Sequence, residues 1–187
     1  MGRSSLVLLS FLSSLLVAEP LTQDQAIQKG SALSSALVQK LSGELKTQMQ
    51  SIGAVGALHF CTQNALVFTA QIAQESNTSI KRVSAKNRNP INAATPDEQS
   101  ILTQWEGLLH TQQPLLAYKI QTSRNGEYTY YKPIVITNEA CLKCHGDIAA
   151  DSPLYKAIKA TYPEDKATGY KMGDLRGMIV ITMPKQN

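Results

Sequence analysis

Apolar residues recur at helical spacing over two stretches in the first part of the chain. One runs from about residue 23 to 50, the other from about 54 to 74, and Ser51-Ile52-Gly53 separates them. Steps of three or four residues place such positions on one face of an α-helix. The pattern therefore predicts two long amphipathic helices. Their apolar faces carry Ile27, Leu33, Leu37, Leu41 and Leu45 in the first, and Val55, Leu58, Cys61, Ala65, Phe68 and Ile72 in the second.

After residue 76 the pattern changes to short segments separated by turn residues. Extended segments are expected at 80–84, 115–122, 128–137 and 175–183, because they are rich in branched and aromatic residues. Asn125-Gly126 predicts a hairpin between the second and third of them. Shorter helices are predicted from Thr95-Pro96 through Leu109, from Asn138 to Gly146, and over 153–160. This order predicts an α+β domain, with a PAS-like antiparallel sheet flanked by helices and long helices at the N-terminus.

Residues 1–18 have the composition of a secretory signal peptide. Arg3 is followed by an apolar stretch, and Ala18 precedes the polar Glu19. The stretch is shorter than the ~20 residues that comfortably span a membrane. We expect cleavage after Ala18 and one domain over residues 19–187, although an uncleaved anchor is the alternative because Leu16 departs from the small-residue pattern. Either way the domain faces outward from the cytoplasm.

Cys141, Cys144 and His145 form a Cys-x-x-Cys-His motif, the attachment signature of c-type haem. Two thiols three residues apart lie on one face of a helical turn, where both can join the vinyl groups of one haem. The next imidazole can then bind the iron. A zinc site or a thioredoxin-like redox pair would use the same cysteines, but the chain has no second Cys-x-x-Cys, and the motif lies far from an early βαβ unit. The motif predicts one haem c per chain.

Cys61 is the one cysteine that thioether formation would leave over. It could be a buried thiol, an intermolecular disulfide or a second iron ligand, and its place on an apolar helix face argues against the disulfide. His59 lies about 200° round the helix from Cys61, so both cannot face one iron. The other residues that could bind iron are His110, Met49, Met172, Met178 and Met183. The residues alone leave the thiol and the ligand open.

The charge of the chain changes the picture little. The formal net charge is +4 and aromatic residues make up 6% of the sequence. The basic residues Lys81, Arg82, Lys86 and Arg88 alternate with polar residues rather than aromatics, so they are interpreted as a solvated loop and not as a nucleic-acid site.

Several motifs together give the chain a resemblance to a known family. They are the long N-terminal helix, the Ala57-to-Cys61 segment, the Arg88-Asn89-Pro90 loop, the segment Cys141-Leu142-Lys143-Cys144-His145-Gly146, and the tail from Tyr162 to Gly177. The chain resembles the haem-binding domains, formerly of unknown function, of exported bacterial proteins and of the outer portions of sensor kinases. Within that family it is most similar to cyanobacterial c-type haem proteins with a PAS-like fold and His/Cys axial ligation.

This resemblance implies a specific ligand set. It implies thioether links at Cys141 and Cys144, His145 as the proximal ligand of the haem iron and Cys61 as the distal ligand. It also implies a location in the periplasm or the thylakoid lumen, at most peripheral to a membrane.

Three functions follow from such a site. A redox or gas sensor would change its ligation and signal through another protein, since the chain carries no output segment. A low-potential electron carrier would keep its ligation, because a thiolate favours ferric iron. A haem enzyme needs a vacant distal position, which six-coordinate iron lacks, so no catalysis is expected. The expected partners are an unidentified redox or signalling protein and a small diatomic gas.

Overall fold

The computed structural model describes residues 20–185, so the predicted signal peptide at 1–18 lies outside the described residues. The first element is helix α1, Gln23–Glu75, which begins at a capping box formed by Thr22 and Gln25. Its backbone leaves helical geometry at Gly53, where φ is 71° and ψ is −176°. This conformation is open to glycine and strained for other residues. The predicted separation of two helices near Gly53 is confirmed.

The break at Gly53 folds α1 back on itself. Lys40 Nζ lies 4.6 Å from the centroid of the Phe68 ring, although residues 40 and 68 would stand about 42 Å apart in a straight helix. The two halves of α1 are therefore neighbours. We call residues 23–52 the first arm and residues 54–75 the second arm.

A four-stranded antiparallel sheet follows. Its strands are β1 (Ser79–Val83), β2 (Lys119–Thr122), β3 (Tyr128–Val135) and β4 (Leu175–Met183), in the order β1-β4-β3-β2. The helices are α2 (Pro96–His110), α3 (Glu139–His145) and α4 (Pro153–Thr161). The expected α+β class, with a sheet flanked by helices, is confirmed. The likeness to PAS domains stays a prediction.

The two faces of the sheet carry separate cores. The α1 face holds the buried residues Ala26, Leu37, Ile80, Tyr130, Ile179, Ile181 and Met183. The α2 face holds Val83, Ile101, Leu102, Trp105, Tyr131, Leu175, Met178 and Val180. Each fully buried aliphatic side chain in these clusters contributes about 1.5–3 kcal/mol to stability. Alternation along β1 and β4 thus sends neighbouring side chains into different layers.

The second strand is shorter than predicted. Residues 115–118 belong to no strand, and β2 pairs with β3 only as far as Lys119 opposite Tyr131. Two positions farther along β3 stands Pro133, which has no backbone N–H to extend a ladder. Lys132 Nζ donates instead to the carbonyl oxygen of Ala117 at 3.0 Å. The strand prediction for 115–118 was wrong for this reason.

Candidate functional site

The Cys-x-x-Cys-His motif forms helix α3. Asn138 caps it by accepting a hydrogen bond from the Ala140 N–H at 2.8 Å, and Gly146 ends it. Cys141 and Cys144 are half-buried and lie one helical turn apart, as the spacing predicts. Cys141 also packs against a small cluster of Ile136, Ala167 and Tyr170. That cluster fixes α3 to the segment that follows α4.

His145 is held in one tautomer and one orientation. Its Nδ1 lies 2.8 Å from the Ala167 carbonyl oxygen, which can only accept, so Nδ1 carries the hydrogen and donates. The Tyr170 ring stands edge-on to the imidazole, with 6.2 Å between the ring centroids. Burial, together with the charges of Arg176 and Arg88, lowers the pKa of His145 to about 3. The imidazole is therefore neutral, with the Nε2 lone pair available to a metal.

Arg88 connects the end of helix α3 to the segment that follows α4. It forms a two-point ion pair with Asp165, at 3.1 Å from Nε to Oδ1 and 3.2 Å from Nη2 to Oδ2. Its Nη2 also donates to the carbonyl oxygens of Cys144 at 2.6 Å and Ala167 at 3.3 Å. The Asp165 carboxylate in turn accepts from the Ala167 N–H at 2.9 Å. One arginine thus ties the end of α3 to the carbonyl group that orients His145.

Cys61 reaches the same region from the second arm of α1. Burial raises the pKa of the Cys61 thiol, the nearby Cys144 raises it further, and Arg82 lowers it. The two thiols are therefore close enough to interact electrostatically, although they belong to elements far apart in sequence. Burial also raises the pKa of Cys144, against the lowering effect of Arg88. Cys141, Cys144 and His145 share helix α3, and Cys61 lies within electrostatic range of Cys144.

The other residues weighed as iron ligands lie elsewhere or face away. His59 and His110 are exposed, and Met172 is exposed on a loop. Met178 is buried in the α2 face of the sheet and Met183 in the α1 face. Met49 is half-buried close to the Gly53 turn. His59, two residues before Cys61, points to solvent because it lies on the opposite side of the same arm.

The interpretation of Lys81, Arg82, Lys86 and Arg88 as a solvated loop was wrong for all of them except Lys86, which is exposed in the segment after β1. Lys81 lies in β1 and pairs with Glu98 at 2.6 Å, and Arg88 forms the ion pair with Asp165. Arg82 Nε is buried and has no hydrogen-bond partner within the described residues. Charged residues are mostly exposed, and they become buried only where a partner is available. Such partners come from distant parts of the chain, so a local sequence pattern does not show them.

Arg176 is a further site residue that sequence reasoning missed. Its Nη1 donates to Ser84 Oγ at 2.9 Å, and its guanidinium carbon lies 5.4 Å from the centroid of the Tyr170 ring. The Nε of Arg176 is buried without a hydrogen-bond partner between residues 20 and 185. A signal for it was present, since the tail motif from Tyr162 to Gly177 includes it, but the motif alone does not show its contacts.

Comparison with known proteins places these features in one family. The family model described as Tll0287-like matches residues 19–184. The chain belongs to the Tll0287-like family. A crystal structure described as that of the cyanobacterial heme-protein Tll0287 is similar to this chain with a TM-score of 0.62 and 27% sequence identity, over 86% of this chain and 93% of that chain. No functionally curated protein matches the chain.

The Tll0287-like match confirms the family resemblance drawn from the motifs. It spans both arms of α1, the whole sheet and the segment from Tyr162 to Gly177. The match also includes helix α3, so the matched region includes every element that builds the candidate site.

Proposed function

We propose that this chain is an exported c-type haem protein that works as a redox or gas sensor. In this proposal Cys141 and Cys144 hold one haem through thioether bonds, His145 is the proximal ligand and Cys61 the distal ligand. The observation that carries the proposal is the convergence of Cys61, from the second arm, on a helix that already holds two thiols and a neutral imidazole. The description of the related crystal structure as a haem protein supports it.

The chemistry of the donor set fits this group. Thiolate and imidazole are both ligands that haem iron accepts. His145 donates through Nδ1 to the Ala167 carbonyl oxygen, which is the partner that metal-binding imidazoles commonly have on their second nitrogen. When bound, a haem supplies a one-electron couple and, where an axial position is open, a site for a diatomic gas. The protein residues orient it and limit its access to water.

The sensor role is supported by how Cys61 is attached. The second arm joins the first through the glycine turn at Gly53, and Tyr162 Oη donates to Thr62 Oγ1 at 3.2 Å. Near this arm the large apolar side chains of Ile52, Leu66 and Val67 are exposed. A movement of Cys61 would therefore shift an apolar surface, which is the kind of surface that contacts a partner protein.

A low-potential electron carrier is the alternative, and one observation favours it. The two thiols of helix α3 are only half-buried, so they stand close to the surface. A cofactor attached there would present an edge to solvent, as rapid electron transfer to a partner requires. A carrier would keep His145 and Cys61 in place in both redox states.

The proposal includes location and partners. We infer export to the periplasm or the thylakoid lumen, with at most peripheral contact to a membrane. The partners would be a redox or signalling protein and, for a gas sensor, a small diatomic molecule. We propose neither an enzymatic activity nor binding to nucleic acid.

Spectroscopy of the protein produced in cells that attach c-type haem tests this proposal. The alkaline pyridine spectrum of the denatured protein should show a haem with two thioether links. Cys141→Ser and Cys144→Ser should each lose one link. Absence of covalent haem from the wild-type chain would contradict the proposal.

Ferric and ferrous spectra then separate the two roles. A change of axial ligation on reduction, or binding of carbon monoxide by the ferrous form, is expected for the sensor. Unchanged ligation with reversible cycling would favour the carrier.

A further inference from the structure

Two arginines near the site have no negatively charged partner among the described residues. Arg82 and Arg176 each have a buried Nε with no hydrogen-bond partner, and neither forms an ion pair within residues 20–185. The nearby carboxylate of Asp165 is bound to Arg88. Arginine stays protonated in proteins, and a buried charge is costly unless it is paired. The two guanidinium groups therefore lack a complementary anion.

The strand geometry directs both side chains to this place. In β1, Ile80 packs into the α1 core and Val83 into the α2 core, so Arg82 shares the α1 face with Ile80. Lys81, between them, reaches Glu98 on the opposite side. Arg82 thus extends from the sheet toward α1, the helix that carries Cys61.

A bulge in β4 directs Arg176 to the same place. The pairing of β3 with β4 shifts between Ile134 and Val135, which leaves Arg176 without an opposite residue. Gly177 permits the bulge because its φ is 154° and a Cβ there would lie 2.3 Å from the Val83 carbonyl oxygen. Arg176 then lies over Tyr170, next to His145.

We propose that Arg82 and Arg176 bind the propionate carboxylates of the haem. This inference rests on the proposed function, since it assigns the opposite end of the same cofactor from the thioethers. A carboxylate accepts two parallel hydrogen bonds from a guanidinium, which is the pairing that the free Nε atoms can supply. Arg82 faces α1, the helix that carries Cys61, and Arg176 lies over Tyr170, next to His145, so both guanidinium groups stand beside the residues that are proposed to hold the haem.

The test compares Arg82→Gln with Lys81→Gln in the haem-loaded protein. Both variants remove one positive charge from neighbouring positions of β1, but Lys81 faces the other side of the sheet. Arg82→Gln should lower the frequency of the propionate bending mode in the resonance Raman spectrum, because a lost hydrogen bond softens that mode. It should also lower the reduction potential, because a nearby cation favours the electron-rich reduced iron. Lys81→Gln should leave both at their wild-type values.

Arg82→Lys separates charge from hydrogen bonding. It should keep the wild-type potential while lowering the bending frequency in part, because lysine cannot donate two parallel hydrogen bonds. If Arg82→Gln does not fold, Arg82→Lys decides alone, with an unchanged frequency counting against the proposal. Wild-type frequencies in both Arg82 variants would overturn it. Absence of covalent haem in the wild-type protein would instead be a failure of the proposed function.

Discussion

His145 and Cys61 approach the candidate site from elements that are held to the rest of the molecule in different ways. His145 ends a helix whose backbone is bound by Arg88, its ring donates to the Ala167 carbonyl oxygen, and Tyr170 packs against it. Between residues 54 and 75, by contrast, one side-chain hydrogen bond joins the Cys61 arm to another element, from Tyr162 to Thr62.

This difference suggests that one side of the site is fixed and the other can move. The His145 side contains a buried ion pair and several hydrogen bonds that share the same carbonyl groups, so it should keep its geometry. The Cys61 side depends on a glycine turn and on packing, so it can shift at lower cost. A site with one fixed and one movable ligand would suit a switch better than a site with two fixed ligands.

Removing the Asp165 carboxylate on the His145 side should have the largest effect on stability. Asp165→Asn leaves Arg88 charged beneath Cys144 without its carboxylate. Because the Asp165 side chain is fully buried and the Arg88 side chain is only 11% exposed, we expect a loss of about 3–5 kcal/mol in the free energy of unfolding. Urea denaturation of the unloaded protein measures it.

Glu44→Gln is the matched control for that prediction, because it removes a carboxylate from the exposed pair with Lys40 on α1. Exposed pairs contribute about 0–1 kcal/mol. Equal losses from Asp165→Asn and Glu44→Gln would show that the Arg88 pair does not brace the His145 side.

The glycine turn offers the next largest effect. Gly53→Ala should destabilise the protein by about 1–3 kcal/mol, because alanine is strained at a φ of 71°. Gly43→Ala, in the first arm, should stabilise it by about 0.5–1 kcal/mol, because alanine favours helix. A Cβ at either position meets no atom within 4 Å, so the two variants differ in backbone conformation and not in crowding. Thermal unfolding measures both stabilities. A Gly53→Ala variant more stable than Gly43→Ala would contradict the left-handed turn at Gly53.

The single hydrogen bond of the Cys61 arm should have the smallest effect. Thr62→Val removes the acceptor of Tyr162 and should cost about 1 kcal/mol. Thr47→Val is the control, because Thr47 bonds only the carbonyl oxygen of Gly43 in its own helix. If a double-mutant cycle of Thr62→Val with Tyr162→Phe gives no coupling energy, the arm is held by packing alone.

Local patterns were enough to predict most of the elements. The turn at Gly53, the hairpin at Asn125-Gly126 and the cap at Asn138 each depend on the conformational preference of one or two residues. The structure has all three. The same holds for Cys141, Cys144 and His145, whose mutual geometry follows from helical spacing.

The support around the site could not be predicted in this way. Arg88 forms an ion pair with Asp165, which lies 77 positions farther along the chain. The position of Arg176 is set by a bulge that forms only when β3 and β4 pair. Residue type predicted Arg88 to be solvated, and Arg176 was part of the tail motif without a predicted contact. Their burial depends on tertiary contacts that a linear pattern does not record.

The central claim is that Cys61 and His145 bind one haem from opposite sides. Electron paramagnetic resonance of the ferric protein beside Cys61→Ala and the neighbouring, exposed His59→Ala tests it most directly. The expected result is a low-spin thiolate signal that Cys61→Ala abolishes and His59→Ala preserves. A wild-type signal in Cys61→Ala would contradict the claim and direct attention to the half-buried Met49 near the turn.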